Sequence, residues 1–276
     1  MIESEQIATI RLNKIFRQAA KSKIIVNAHR VNEGKGFISK GSKEAENTDD
    51  DFFFINELSQ EKMIYNVVSL AKDRLAKYGD YNFFNDMQVL SPTKKGALGT
   101  KELNKSLQNA LNPESDYKKE KQYGDFTFRE GDRVMQIKND YDILWEKKNT
   151  NETGTGIFNG EIGTISKIYQ EEKQIKVEFD DEKIAWYEFS SLEELELAYC
   201  VTIHKSQGSE FNVVILVVPQ AAPMLLTRNL LYTAITRAKK LLVVIGANKT
   251  IEFMINNAES KARNTGLEYK LIKIGG

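Results

Sequence analysis

The sequence lacks the features that mark several protein classes. It has one cysteine, Cys200, so no internal disulfide can form, and only two histidines, His29 and His204, so the usual ligands of a zinc site are missing. The longest apolar run, residues 213–218, is too short to span a bilayer. The N-terminus has no basic and apolar signal segment. We therefore expect a cytoplasmic protein with no membrane partner and no metal site.

Charge is balanced over the 276 residues but unevenly distributed along them. The chain has 39 basic and 39 acidic side chains, yet residues 1–123 carry a net charge of +3, residues 124–196 carry −9 and residues 197–276 carry +6. Such a shift in composition marks a boundary, although a solvated acidic surface would give the same numbers. A polyanion is expected to meet the flanking parts and not the middle.

The flanking parts alternate between strand and helix patterns. Buried strands are predicted at 52–55, 87–90, 197–203, 213–218 and 241–245, and helices at 12–33, 61–78, 99–111, 225–239 and 250–258. This order predicts an α/β fold, with a mostly parallel sheet covered by helices.

The middle of the chain predicts a different fold. Short β-type runs at 133–137, 163–169, 174–179 and 184–187 alternate with turn residues, and no helical stretch separates them. We expect a small all-β barrel over 124–196, separable from a discontinuous α/β domain over 1–123 and 197–276. The glycines at 154, 156 and 160 do not follow a βαβ strand, which argues against dinucleotide binding and predicts a flexible loop.

Three segments carry chemistry. Residues 202–211 follow a predicted strand with Thr, His, Lys, Ser, Gln and Glu, which suit phosphates and a ribose, although an ordinary polar loop has a similar composition. Residues 232–240 end in Arg237 and two lysines, which equally suit the carbonyl end of a helix. Residues 15–18 place Arg17 on the first helix, where most arginines are solvated.

Together these segments resemble the C-terminal motor domain of superfamily 1 DNA helicases of the RecD/TraA type, the family of the exodeoxyribonuclease V alpha subunit. Residues 15–18 with 27–32 resemble motif IV, residues 202–211 motif V and residues 231–240 motif VI. Residues 89–92 with Gly96 and Gly99 resemble another block of the family. Residues 131–136 and 158–163 resemble the SH3-like barrel inserted in its longer members. The resemblance therefore implies a RecA-like sheet and an SH3-like barrel.

The resemblance also implies roles for particular residues. Arg17 and Arg237 would be catalytic, as cations facing the γ-phosphate of ATP. Nucleotide contacts would come from Gln18, Gly208 and Glu210. Single-stranded DNA would be contacted by Thr202, His204, Lys205, Ser91 and Pro92.

The family's first motor domain holds most of the ATP and Mg²⁺ site, and the sequence has neither a phosphate-loop pattern nor a strand ending in Asp-Glu. We therefore expect this second motor domain to be inactive as an ATPase by itself and to bind no cofactor. The resemblance implies translocation along single-stranded DNA in the 5′ to 3′ direction. It leaves open whether the protein has nuclease or helicase partner subunits. The alternative is a non-enzymatic module that binds single-stranded nucleic acid or a protein.

Overall fold

The computed structural model describes residues 6–10, 21–38, 50–150, 152–258 and 266–275. Up to the middle of the chain its elements are α1 (Lys23–Asn32), β1 (Phe52–Asn56), α2 (Gln60–Ser69), α3 (Leu75–Gly79), α4 (Phe83–Asp86), β2 (Met87–Ser91), α5 (Thr100–Leu111), β3 (Glu120–Tyr123), β4 (Phe126–Arg129) and β5 (Arg133–Gln136). There follow β6 (Asp140–Lys147), β7 (Thr153–Ile157), β8 (Ile162–Tyr169), β9 (Gln174–Phe179), β10 (Lys183–Glu188), β11 (Leu195–Leu197), β12 (Cys200–Thr202), β13 (Phe211–Val218), α6 (Arg228–Ile235), β14 (Ala238–Gly246), α7 (Asn248–Asn256) and α8 (Leu267–Gly275). A π-helical turn (Leu70–Arg74) joins α2 to α3, and 3-10 turns occupy Phe189–Glu194 and Pro223–Leu225.

Five strands form a parallel sheet in the order β1-β14-β13-β2-β12. Four of the five strands predicted in the flanking parts lie in this sheet, and the fifth contributes β12 to it, which confirms the α/β fold. The middle strand β13 is apolar almost throughout, and its last six residues are buried. Both faces of such a strand must be covered, because parallel sheets bury both sides under helices.

Two apolar layers cover the sheet. Alternate residues of β13 point to opposite faces, so that Ile215 packs into one layer and Leu216 into the other. The first layer contains buried side chains of α2 and α5, such as Leu103, and the second contains those of α1, α6 and α7, such as Leu231. Each helix contributes one apolar stripe, as the helical spacing predicts.

The middle of the chain folds into a curled antiparallel sheet. Its seven strands follow the order β11-β5-β8-β9-β10-β6-β7, and β3 pairs with β4 as a separate hairpin. Alternation of buried and exposed residues along β9 directs Ile175 and Val177 into the interior. The all-β prediction for this region is confirmed, and the sheet contains β6, β7 and β11 in addition to the four strands that the patterns predicted.

Three local predictions were wrong. Residues 154–160 were predicted as a flexible loop, but 154–157 belong to the edge strand β7, because they pair with β6. The strand predicted at 197–203 is two strands, since β11 pairs with β5 and β12 pairs with β2. The helix predicted at 225–239 is shorter, because Thr227 caps its start and β14 begins at Ala238. The predicted division at residues 123 and 196 stays a prediction.

Buried polar side chains hold the connection between the two sheets. The amide of Asn104 donates to the carbonyls of Leu197 and Cys200 at 2.9 and 3.0 Å and accepts from the N–H of Cys200 at 2.8 Å. Gln88 donates to the carbonyls of Ala198 and Tyr199, both at 3.1 Å. Residues 197–200 therefore have a fixed backbone, because their buried polar groups are paired.

The carboxylate of Asp132 anchors the same connection from the curled sheet. It accepts from Tyr199 Oη at 2.8 Å, Asn112 Nδ2 at 2.7 Å, Gln108 Nε2 at 2.6 Å and Arg129 N at 2.7 Å. Burial raises the pKa of Asp132, although the four donors oppose that rise by stabilising the charged form. One side chain thus joins α5, the curled sheet and the segment that enters β12.

Candidate nucleotide and nucleic-acid interface

The residues singled out by the sequence lie at both edges of the parallel sheet. Thr202 ends β12 opposite Ser91, which ends β2, so both mark the carboxyl edge. Phe211 begins β13 opposite Ala238, which begins β14, so Arg237 lies at the amino edge. Residues 203–210 run from one edge to the other. Thr202 therefore lies at the carboxyl edge, whereas Glu210, which directly precedes β13, lies at the amino edge.

Ser91 and Pro92 form the floor of the carboxyl edge. Both are buried, and Ser91 Oγ donates to the carbonyl of Leu98 at 2.8 Å. The Ser91 carbonyl accepts from the N–H of Ile203 at 3.1 Å. These two residues therefore hold the ends of the neighbouring strands together and leave little of their own surface for a ligand.

Thr202 and His204 begin the loop after β12. Thr202 is buried, and its hydroxyl accepts from the N–H of Lys205 at 3.3 Å, which stabilises the turn. His204 is exposed and lines a hollow of about 150 Å³ together with Asn229 and Thr233 of α6. Of the two, His204 presents its side chain to solvent.

Lys205 points towards the curled sheet. Its Nζ lies 2.9 Å from Oε2 of Glu196 on β11, and Lys94 Nζ lies 3.1 Å from Oε1 of the same carboxylate. Partial burial disfavours the charged form of Glu196, but the hydrogen bonds and charges of Lys205 and Lys94 outweigh burial and lower the pKa of Glu196. The motif suggested Lys205, but only the structure shows that Lys94 and Glu196 share its site.

Arg237 is held at the amino edge by three hydrogen bonds. Nε donates to the carbonyl of Thr233 at 3.2 Å, Nη1 to the carbonyl of Ser209 at 2.9 Å and Nη2 to Thr236 Oγ1 at 3.3 Å. The guanidinium is half-buried. Its five N–H groups lie in a fixed plane, so these contacts orient it and leave N–H groups for an anion.

Gly208 and Glu210 lie in the loop that Arg237 contacts. Gly208 has a φ of +91°, a conformation that favours glycine, and a Cβ there would meet no atom within 4 Å. Glu210 is exposed, and its Oε2 lies 3.2 Å from Lys239 Nζ. Open space, an oriented guanidinium and a carboxylate are compatible with the phosphates and ribose hydroxyls of a nucleotide.

A cleft of about 660 Å³ separates this edge from the curled sheet. Glu210 and Lys239 line one side, and Arg133 and Asp180 line the other. Arg133 Nη2 lies 2.7 Å from Asp180 Oδ2, and Nη1 donates to the carbonyl of Phe84 at 2.8 Å. No local pattern in the sequence places Arg133 beside this cleft, because the paired aspartate is 47 residues away in the chain.

Two predicted site residues, Arg17 and Gln18, lie outside the described residues. In the described ranges, no three His, Cys, Asp or Glu side chains come together as a metal ion would require. Within the same ranges, no helix combines the length and the apolar character needed to cross a membrane.

Known protein families match the chain in two places. Residues 103–179 match the family described as the SH3 domain of ATP-dependent RecD-like DNA helicases. Residues 197–245 match the UvrD-like helicase C-terminal domain. The first match covers most of the curled sheet, and the second covers β12, β13, α6 and most of β14.

Similar proteins are considerably longer than this chain. The ATP-dependent RecD2 DNA helicase of Deinococcus radiodurans is 32% identical over 259 residues, which cover 94% of this chain and 31% of that protein. The RecBCD enzyme subunit RecD of Buchnera aphidicola is 26% identical over 255 residues, which cover 89% of this chain and 40% of that protein. The chain thus spans about a third of the length of these two relatives.

A solved structure shares the fold. The Pif1 helicase from Bacteroides, in complex with ADP-AlF3 and single-stranded DNA, matches with a TM-score of 0.50 at 18% identity, over 96% of this chain and 55% of that chain. At that identity the match supports the architecture alone. The family matches and the longer relatives agree with the motifs at the two sheet edges, so this chain is a homologue of the RecD-type DNA helicases that matches their SH3 domain and a helicase C-terminal domain.

Proposed function

We propose that this chain forms the second motor domain of an ATP-dependent DNA helicase. The observation that carries the proposal is the hydrogen bond from Arg237 to the carbonyl of Ser209, because it joins the motif VI arginine to the motif V loop. A cation oriented in this way can stabilise charge that develops on a transferring phosphoryl group. Bound ATP with Mg²⁺ would supply the phosphoryl group, held mainly by a first motor domain.

On this proposal the amino edge faces the nucleotide. Arg237, with Arg17 as its partner, provides the positive charge. Gly208 leaves room for close approach, and Glu210 accepts from a ribose hydroxyl. Gln18 completes the nucleotide contacts.

The carboxyl edge faces single-stranded DNA. His204 and Lys205 contact the phosphate backbone, and Thr202, Ser91 and Pro92 fix the loops that carry them. Residues 203–210 connect the two edges of the sheet. Binding or hydrolysis of the nucleotide at one edge would therefore shift the DNA-contacting residues at the other edge through this one short segment. The resemblance to the family adds translocation in the 5′ to 3′ direction to the proposal. A cytoplasmic location and association with a nuclease or helicase subunit are further parts of the proposal, the latter supported by relatives that are RecBCD subunits.

The second candidate is a module that binds single-stranded nucleic acid without hydrolysis. The observation that favours it is an exposed aromatic surface on the barrel, where Tyr141 and Phe158 pack edge to face at 5.5 Å. Lys176 also lies 5.6 Å from the centre of the Trp186 ring. Bases stack on such side chains without sequence preference.

Steady-state ATPase measurements separate the two candidates. The chain alone should remain at background with or without single-stranded DNA, because it provides half of the nucleotide site. The same chain within its full-length protein should hydrolyse ATP when single-stranded DNA is added. A full-length protein that binds single strands but shows no stimulated turnover would support the binding module and contradict the motor.

A further inference from the structure

Glu196 occupies a place suited to a phosphate group. Lys94 Nζ lies 3.1 Å from Oε1 and 3.5 Å from Oε2 of the carboxylate, and Lys205 Nζ lies 2.9 Å from Oε2. Lys94 follows the strand that ends at Ser91, and Lys205 follows the strand that ends at Thr202. A phosphodiester presents two anionic oxygens in much the same way, so the two lysines form a site that a phosphate can share.

The barrel strand β11 fixes the backbone of Glu196. Glu196 pairs with Met135 of β5, and the next residue, Leu197, has its carbonyl bound by Asn104. The carboxylate is therefore held near the lysines by the fold and not only by attraction. Its side chain is 38% exposed, which leaves it a path into solvent.

A phosphate can replace the Glu196 carboxylate as the partner of Lys94 and Lys205. Ion pairs that are partly open to water are weak, because water screens the charges and two long side chains lose freedom. A phosphate that arrives as part of a polyanion also releases counterions, which favours its binding. Displacement of Glu196 by a phosphate of a single strand therefore requires no rearrangement of the backbone.

We propose that Glu196 sets the affinity of the DNA track by occupying the phosphate position between Lys94 and Lys205 until a single strand displaces it. The inference rests on the proposed function, because it assumes that Lys205 meets DNA phosphates. Glu196, a residue of the barrel, would thereby influence how tightly the motor domain binds single-stranded DNA. Glu196 is a positioning residue here, since it acts through the two lysines.

The test measures binding of a fluorescein-labelled oligothymidylate to the chain by fluorescence anisotropy at several salt concentrations. Glu196→Gln keeps the shape and removes the charge, so affinity should rise about three- to tenfold, as expected for the loss of weak competing ion pairs. The slope of log affinity against log salt should steepen by about 0.7 for each lysine released to a phosphate. Glu196→Asp, one methylene shorter, should give a smaller rise.

Two further variants make the result specific. Glu193→Gln removes the same charge three residues away, where the carboxylate faces Lys138 at 3.4 Å, and should change affinity little. Lys205→Ala should weaken binding and, combined with Glu196→Gln, should remove most of the gain. Thermal unfolding of each variant checks that the fold is kept, and Glu196→Asp replaces the glutamine variant if that one unfolds.

The outcomes distinguish this inference from the proposed function. An equal effect of Glu196→Gln and Glu193→Gln would show a general charge effect and overturn the inference, even if Lys205→Ala still weakened binding. Unchanged affinity in Lys205→Ala would instead remove Lys205 from the DNA track, and the proposed function would fail at that residue. A larger gain in Glu196→Gln that depends on Lys205 supports both.

Discussion

At the scale of single residues, Arg237 shows how one side chain serves packing and chemistry together. Its three hydrogen bonds to Thr233, Ser209 and Thr236 stabilise the turn between α6 and β14. If orientation of the turn were its whole role, replacement would cost about 1 kcal/mol of stability. The proposed motor role requires a far larger effect on turnover than on folding.

Arg237→Ala in the full-length helicase should lower kcat for DNA-stimulated ATP hydrolysis by roughly a thousandfold or more, the scale known for arginines at a transferring phosphoryl group. Arg237→Lys should recover little, because an ammonium cannot reproduce the planar fork. DNA affinity should change much less. Arg228→Ala, at the other end of α6, serves as the control. A kcat near that of the wild type in Arg237→Ala would contradict the catalytic role.

Asp132 makes a prediction about stability. Asp132→Asn places an amide N–H₂ among four donors, so at neutral pH it should lower the free energy of unfolding by roughly 1–3 kcal/mol. Burial raises the pKa of Asp132 in the folded chain, so the folded state binds a proton at this carboxyl more tightly than the unfolded state does. Asp132 therefore contributes most to the free energy of unfolding in acid, and that contribution falls as the pH rises through the folded-state pKa. The stability difference between wild type and variant should therefore be larger near pH 4 than at pH 7. Urea unfolding at both pH values measures it, and a larger difference at pH 7 would contradict the burial argument.

At the scale of elements, the strand β7 depends on its glycines. A Cβ on Gly154 would come within 2.4 Å of the Trp145 ring on the neighbouring strand β6, so this position requires glycine. Gly154→Ala should destabilise the barrel by about 1–3 kcal/mol, because the ring must move from its packed position. Gly36→Ala is the matched control, since a Cβ there meets nothing within 4 Å. Equal stability of the two variants by urea unfolding would show that the indole moves at no cost.

At the scale of the whole molecule, the two sheets share one apolar core. Val177 and Ile165 of the barrel belong to the same buried cluster as Ile215 and Leu103 of the parallel-sheet part. The buried contacts of Asp132 add polar links across the same junction. We expect the barrel and the parallel sheet to unfold together, because neither can open without exposing part of the common core.

Both tryptophans, Trp145 and Trp186, lie in the barrel, which makes the prediction easy to measure. Tryptophan fluorescence reports the barrel, whereas circular dichroism at 222 nm reports mainly the helices around the parallel sheet. The two urea transitions should coincide. A fluorescence transition that comes clearly earlier would show that the barrel is an independent unit.

Elements with a strong local signal are predicted correctly from the sequence. The apolar run at 213–218 predicts the buried strand β13, the alternation at 174–179 predicts β9 with its observed bounds, and the motif residues resemble the helicase family that the comparisons match. The sequence pattern failed for β7, whose strand character comes from pairing with β6 and not from its Gly-Thr-Gly residues. The sequence pattern also predicted one strand where β11 and β12 are two, because the chain between them is held by side chains that are distant in the sequence, such as Asn104.

Contacts between residues that are distant in the chain depend on strand pairing and packing. Composition predicts a separable acidic barrel, a prediction that stays untested, and the structure adds that buried residues of the barrel and of the parallel sheet belong to one apolar cluster. Lys94, Glu196 and Lys205 come together because parallel strands align their carboxyl ends and β11 turns into β12 beside them. Contacts across such separations depend on how the strands pair, which a local pattern does not contain, whereas burial and periodicity are properties of neighbouring residues.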